Sequence, residues 1–230
     1  MNNAPSPLLE IERDLTLGEN AYAQLKEVLI SGKMAPGERV TVRGVAAALG
    51  VSITPAREAI TKLVSEGALT AKGPKTTTVP ELTLEDLDEL TQLRLALEPL
   101  AAERGAKRHG TDILPYLAET QKALETAMAE QDYREVLRRN HAFHFALYCA
   151  AERPMMLGFI EALWMKIGPS LNLLYPQFAI HRGGLSNHAM IIGALATLEE
   201  GIVQRAIRLD IELGYESLSN FINHKASRSA

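Results

Sequence analysis

Apolar and polar positions alternate along the first eighty residues in a way that predicts short helices and one hairpin. Tyr22, Leu25, Val28 and Leu29 recur at helical spacing between Glu19 and Ser31; Gly32 ends that run and Pro36-Gly37 marks a turn. Thr41 is placed to cap a helix reaching Leu49, which Gly50 closes. A third helix is expected with Thr54 as its cap and Pro55 at its first position, where a missing N–H costs nothing. Its inner face is Ala59, Ile60, Leu63 and Val64, its outer face Arg57, Thr61 and Lys62, and Gly67 closes it. Two β-capable runs, 68–71 and 76–79, then flank a Gly-Pro tip and predict a hairpin. Helix, helix, turn, helix, hairpin is the order of a winged helix-turn-helix.

After Pro80 only the helical period remains. Thr83 to Asp86 reads as a capping box. Helices are expected near 84–108, 112–130, 132–151, 155–175, 184–199 and 202–223, with breaks at Gly110, Pro154, Gly183-Gly184 and Gly201. The predicted fold class is therefore mainly α. Residues 1–17 form a flexible arm and residues 18–80 a winged helix-turn-helix with a small β-hairpin. Residues 81–230 form an all-α antiparallel helical bundle. Scarce aromatics, 5% of the chain, and abundant Ala and Leu agree with helix over sheet.

Charge divides at the same place. Seven Lys or Arg stand against three acids between Lys33 and Lys75, whereas residues 81–230 hold 15 basic and 20 acidic residues. The chain's net charge of −4 thus hides a basic head on an acidic body, the distribution expected when the head meets phosphates. No apolar run is long enough for a membrane span, and the first residues lack the pattern of a secretory signal. The single cysteine, Cys149, excludes an intrachain disulfide and fits the reducing cytoplasm; its neighbours suggest a buried thiol.

The helix that follows the turn at Gly50 presents its N-terminal end to a groove one helix wide. Ser52, Thr54, Pro55 and the free amides of the first turn suit phosphate oxygens, and Arg57 suits the O6 and N7 of a guanine. Arg43 on the preceding helix and Lys72 and Lys75 on the hairpin extend the surface. In the body, polar residues interrupt apolar lines: Arg94 between Leu90 and Leu97, Asn140 and His144 between Leu137 and Leu147, His188 between Leu185 and Ile192, and Asp210 between Ile207 and Leu213. Burying such groups singly costs about 2–7 kcal/mol each. They are therefore expected to meet one another, a metal or a polar ligand. Asn140, His144, His188 and Asp210 make a set of nitrogen and oxygen donors for a divalent transition ion (Zn, Ni or Mn), and Arg94 a two-pronged grip on a carboxylate. His109, His141, His181 and His224 are expected at the surface, and Trp164 in the core or a pocket wall. No motif calls for an organic cofactor.

From Tyr22 through Gly50-Val51-Ser52-Ile53-Thr54-Pro55-Ala56-Arg57-Glu58-Ala59 to Glu66-Gly67, the head resembles the GntR family of regulators. Where that family usually carries a DNA-touching arginine, this chain has Ile53, which shifts weight onto Arg43 and Arg57. Leu84-Glu85-Asp86-Leu87, Leu93-Arg94, Leu97-Glu98, Asn140-x-x-Phe143-His144 and His188 with Ile191-Ile192 resemble the FCD effector domain of the FadR-like members. The resemblance implies a cytoplasmic bacterial transcription regulator, repressor or activator, that binds a palindromic duplex operator as a homodimer and is associated with the nucleoid when bound. It also implies a small organic acid effector beside a metal held by an Asp or Asn and three histidines. Asn140, His144 and His188 match three of those ligands, and Asp210 stands where the last histidine is expected. A metal-dependent hydrolase built on the same donors and a DNA binder without sensing are the alternatives.

Overall fold

The computed structural model describes residues 16–73, 76–174, 183–197 and 199–229. The arm expected over 1–17 therefore lies almost wholly outside the described residues, as do Pro74, Lys75 and His181.

The head opens with α1, Leu17–Ile30, which begins in a reciprocal capping box between Thr16 and Glu19. Helix α2, Val42–Leu49, is capped as expected by Thr41, whose hydroxyl accepts from the Gly44 N–H at 3.0 Å. It ends on Gly50 at φ 65°, a left-handed turn that favours glycine. Helix α3, Ile53–Ser65, starts two residues earlier than expected. Ser52, not Thr54, is its N-cap, and Pro55 is its third residue, where its missing N–H is still harmless. Strands β2, Thr70–Gly73, and β3, Thr76–Thr78, form the hairpin, shifted outward because Ala68 and Leu69 are used as buried core. A two-residue strand β1, Arg39–Val40, joins the far edge of β3, giving the order β1-β3-β2. Its shortness left no alternation in the sequence.

The body begins with α4, Leu84–Ala129, entered through the expected Thr83–Asp86 capping box. The break comes at His109, with φ −136° and ψ 20°, rather than at Gly110, and helix resumes at once. There follow α5, Tyr133–Ala150; α6, Pro154–Leu171, continued by a 3₁₀ turn at Asn172–Leu174; α7, Gly183–Thr197; and α8, Glu200–Ser229. Gly201 lies inside α8, which runs six residues beyond the expected end. Helix α4 is the hub, packing on α5, α6, α7 and α8.

One apolar core runs from Leu29 and Leu63 in the head through to Leu117, Phe143 and Trp164 in the body. The seam lies where α1 crosses α6. A methyl group on Gly168 would stand 2.5 Å from the Leu29 carbonyl oxygen and 2.6 Å from that of Ile30, so only glycine lets the two backbones come so close. Lys26 of α1 pairs with Glu161 of α6 at 2.6 Å, and the Asn172 side chain donates to the Gly32 carbonyl at 2.6 Å. The head is thus packed and hydrogen-bonded onto the same helix that carries Trp164.

Candidate functional site: an exposed helix end and a buried acceptor cluster

The head leaves the outer face of α3 open. Ser52, Ile53, Thr54 and Arg57 are exposed, Arg43 is exposed on α2, and Lys72 on β2. The first N–H groups of α3 have no partner within the helix and carry its positive end toward solvent. Pro55 is a correction: it is buried beneath this face and supports it without reaching outward. Lys62 is drawn aside, its ammonium 3.8 Å from the centre of the Tyr22 ring, while the Tyr22 hydroxyl donates to Glu66 at 2.8 Å. The Glu58 carboxylate lies against Gly18 at the N-terminus of α1. Both anchors keep α3 fixed at its rear while its front stays free.

In the body, the structure brings together the polar residues expected to meet. His144 from α5, His188 from α7 and Asp210 from α8 offer ligand atoms that all lie within 4.8 Å of one another. His144 Nε2 is 3.3 Å from Asp210 Oδ2 and 3.3 Å from His188 Nε2. Both histidines are 1% exposed. Asn140, one turn before His144, lines the same cavity of about 50 Å³ with Arg94, Trp164 and Asp210; Gly184 and Gly214 leave it open. Burial, and secondarily the charge of His144, push His188 down to about 3, so it is neutral at pH 7. For Asp210, burial acts to raise the carboxyl, but the hydrogen bond and charge of His144, with His188 and Asn187, outweigh it and hold it below its usual range.

The outer nitrogens of the two imidazoles are also engaged. His144 Nδ1 meets the Tyr148 hydroxyl at 3.2 Å, and that hydroxyl donates to Glu98 at 2.7 Å. His188 Nδ1 meets Gln121 Oε1 at 2.9 Å, and the Gln121 amide nitrogen donates to Glu125 at 2.8 Å. Arg94 does not present the free fork expected of it, because its Nε and Nη2 already donate to Glu98 at 2.6 and 3.2 Å. Arg94 also lines the cavity, and its guanidinium sits 5.2 Å from the Trp164 ring centre. The Trp164 indole N–H is buried without a hydrogen-bond partner among the described residues. Such an orphan donor costs about 1–3 kcal/mol unless something accepts from it.

Tyr148 and Gln121 were not singled out from the sequence, and Glu98 entered only within a motif, although Tyr148 and Glu98 stand one helical turn from His144 and Arg94, a spacing that signals same-face partners; Trp164 is the pocket wall it was expected to be. Two expectations about exposure are corrected, and His109 keeps its place at the surface. Cys149 is exposed rather than buried. His141 is turned inward, its side chain 13% exposed and 3.6 Å from Glu27 of the head. His109 bridges Asp112 and Glu152 at 3.1 Å each, beside the α4 kink.

The donor set fits a divalent ion. Two ligand atoms each about 2.0–2.1 Å from a tetrahedral ion stand roughly 3.3–3.4 Å apart, the spacing of the His144 and His188 nitrogens. Two imidazoles and a carboxylate are borderline-to-hard ligands of the kind first-row divalent ions take.

Comparison with known proteins agrees with both halves. The family described as "Bacterial regulatory proteins, gntR family" matches residues 17–79, and the FCD domain matches residues 89–212. The chain is 34% identical over 173 residues to the HTH-type transcriptional regulator McbR of Escherichia coli K12, covering 74% of this chain and 78% of that protein. The solved structure of E. coli McbR/YncC superposes with a TM-score of 0.83 at 29% identity, over 90% of this chain and 99% of that one. A probable D-xylose utilization operon transcriptional repressor of Paenarthrobacter nicotinovorans is 26% identical over 182 residues, 78% of each chain. These relatives are regulators of transcription and not enzymes, which sets the hydrolase alternative aside. Among the described residues no helix is long and apolar enough to cross a membrane.

Proposed function

The chain belongs to the GntR family of bacterial regulatory proteins and carries an FCD domain, which makes it a DNA-binding transcription regulator; from that premise we propose that a divalent ion and a small organic anion, held in the body, control how its heads meet an operator. The observation that carries this reading is the convergence of His144, His188 and Asp210 inside the body. A bound divalent ion supplies positive charge and open coordination positions for a carboxylate. The charges of Arg94 and Glu98 cancel, and Asp210 leaves the cavity negative. A divalent ion reverses that sign, so a monoanion is the favoured guest. The spare N–H groups of Arg94 and the Trp164 indole N–H are the donors for its oxygens. A cavity of about 50 Å³ suits a carboxylate of two or three carbons, and a larger acid requires the walls to part.

At the DNA end, Ser52, Thr54 and the first amides of α3 hold phosphates, Arg57 reads a base, and Arg43, Lys72 and Lys75 add contacts to the backbone or minor groove. One head buries too little surface for a specific site, so two heads in a homodimer on a palindrome are expected. Helix α6 connects the two ends: Trp164 lines the cavity, while Glu161, Gly168 and the following Asn172 hold the head. A guest that moves Trp164 or Leu171 therefore shifts the population of head placements, and only one placement suits the half-site spacing. Repression in the cytoplasm, with release by the anion, is the mode we assign; the D-xylose utilization relative is named a probable transcriptional repressor.

The test is an anisotropy titration of the chain's own upstream DNA with zinc-loaded protein, with and without acetate, lactate and pyruvate. The expected result is specific binding whose affinity changes about 5–150-fold with one of the acids. Specific binding that no ion or acid alters would leave a DNA binder without sensing.

A further inference from the structure

Hydrogen-bond donors can be counted around both buried histidines, and the count decides which ring nitrogen carries the proton. Tyr148 is 1% exposed, and its hydroxyl has one proton to give. That proton goes to Glu98, 2.7 Å away and wholly buried. The Tyr148 oxygen can then only accept from His144, which places a proton on His144 Nδ1 and leaves Nε2 as the nitrogen that faces His188 and Asp210. The second arm runs the same way. Gln121 spends its amide N–H on Glu125, which turns its carbonyl oxygen to His188. A carbonyl oxygen can only accept, so His188 donates to it from Nδ1 and turns its Nε2 to the same point. The two Nε2 atoms face each other at 3.3 Å, with an Asp210 oxygen 3.3 Å from that of His144. An ion bound among these three atoms displaces the proton that otherwise joins His144 Nε2 to Asp210.

We propose that Tyr148 and Gln121 are positioning residues, each backed by a carboxylate of α4 (Glu98 and Glu125), that lock His144 and His188 in the one tautomer able to bind an ion through Nε2. This rests on the ion site proposed above. Tyr148 sits one turn after His144 on α5, while Glu98, Gln121 and Glu125 share α4, so the hub helix sets both imidazoles at once. Without the Tyr148 oxygen, His144 is free to carry its proton on Nε2 and point an N–H at the ion. Without the Gln121 carbonyl, His188 gains the same freedom.

The experiment uses the full chain, stripped with chelator. Zinc affinity is measured by competition with a chromophoric chelator for wild type, Tyr148→Phe and Gln121→Met. The visible spectrum of each protein loaded with Co²⁺ reports the ligand set, and a melting curve in chelator reports the metal-free fold. The result expected is one ion per wild-type chain, affinity about 10–100-fold weaker in each variant, and an altered cobalt spectrum in variants that still melt cooperatively. The two variants probe separate arms, so either one that folds is decisive by itself. Wild-type affinity and spectrum in a folded variant would overturn the positioning role while leaving the ion site standing. A wild-type chain that takes up no ion would overturn both.

Discussion

Head and body put polar chemistry in opposite places. In the head, the working groups are exposed, and the structure keeps them free by tying their neighbours down: Lys62 to Tyr22, Glu58 against α1, Pro55 under the surface. In the body, the working groups are buried, and each is held by a partner from another helix or another turn: Arg94 by Glu98, His144 by Tyr148, His188 by Gln121. An exposed arginine needs no partner, because water solvates it until a duplex arrives. A buried histidine must be satisfied at every nitrogen, and that requirement restricts it to one protonation pattern. The head therefore tolerates change at single positions, while the body acts as a connected unit.

The seam between them is the first place to break that contrast. Gly168→Ala puts a methyl group into the Leu29 and Ile30 carbonyls, and neither backbone can yield cheaply. A loss of about 3 kcal/mol in denaturant unfolding is expected, the upper end for overpacking. Specific DNA binding should survive and its response to ion and acid should not. A response equal to wild type would mean the α1–α6 seam does not carry the signal.

Arg57→Ala sharpens the exposed half. About 2 kcal/mol of specific affinity should disappear, with preference relaxed at a single base pair. Uniform weakening across sequences would mark Arg57 as a phosphate contact only.

Acid probes the buried half. His188 is held down to about 3 and His141 to about 4, both mainly by burial, so in chelator the unfolded chain binds more protons than the folded one below about pH 6.5. Stability is therefore fully present above that pH and falls on acidification, by up to about 1.4 kcal/mol per pH unit for each histidine. Melting temperatures between pH 7.5 and 5.5 check the sign; a flat profile would mean that neither ring is buried neutral. The smallest effect is expected for Lys26→Met. Its pair with Glu161 is partly exposed and worth under about 1 kcal/mol, measurable in denaturant but not at the operator.

The sequence was legible wherever local rules decide structure. Thr41, Gly50 and the Thr83–Asp86 box stand where capping chemistry requires them, and the helices of the body follow their apolar period. It was also legible where a polar residue breaks an apolar line, which is how Asn140, His144, His188 and Asp210 were brought to one site. Cross-helix partners were not legible. Glu98 turns Arg94 from a free clamp into half of a buried pair, and β1 and the Gly168 crossing depend on chain segments far away in sequence. His141 misled for the same reason: it lies off the apolar line of α5, but Trp164 of α6 and Glu27 of α1 stand against it.

Equilibrium dialysis against Zn²⁺ with elemental analysis tests the acceptor cluster most directly, comparing wild type with the His144→Ala/His188→Ala double variant. One ion per wild-type chain and none in the variant is the outcome the account predicts. An empty wild-type chain, or equal loading of the two proteins, would contradict it.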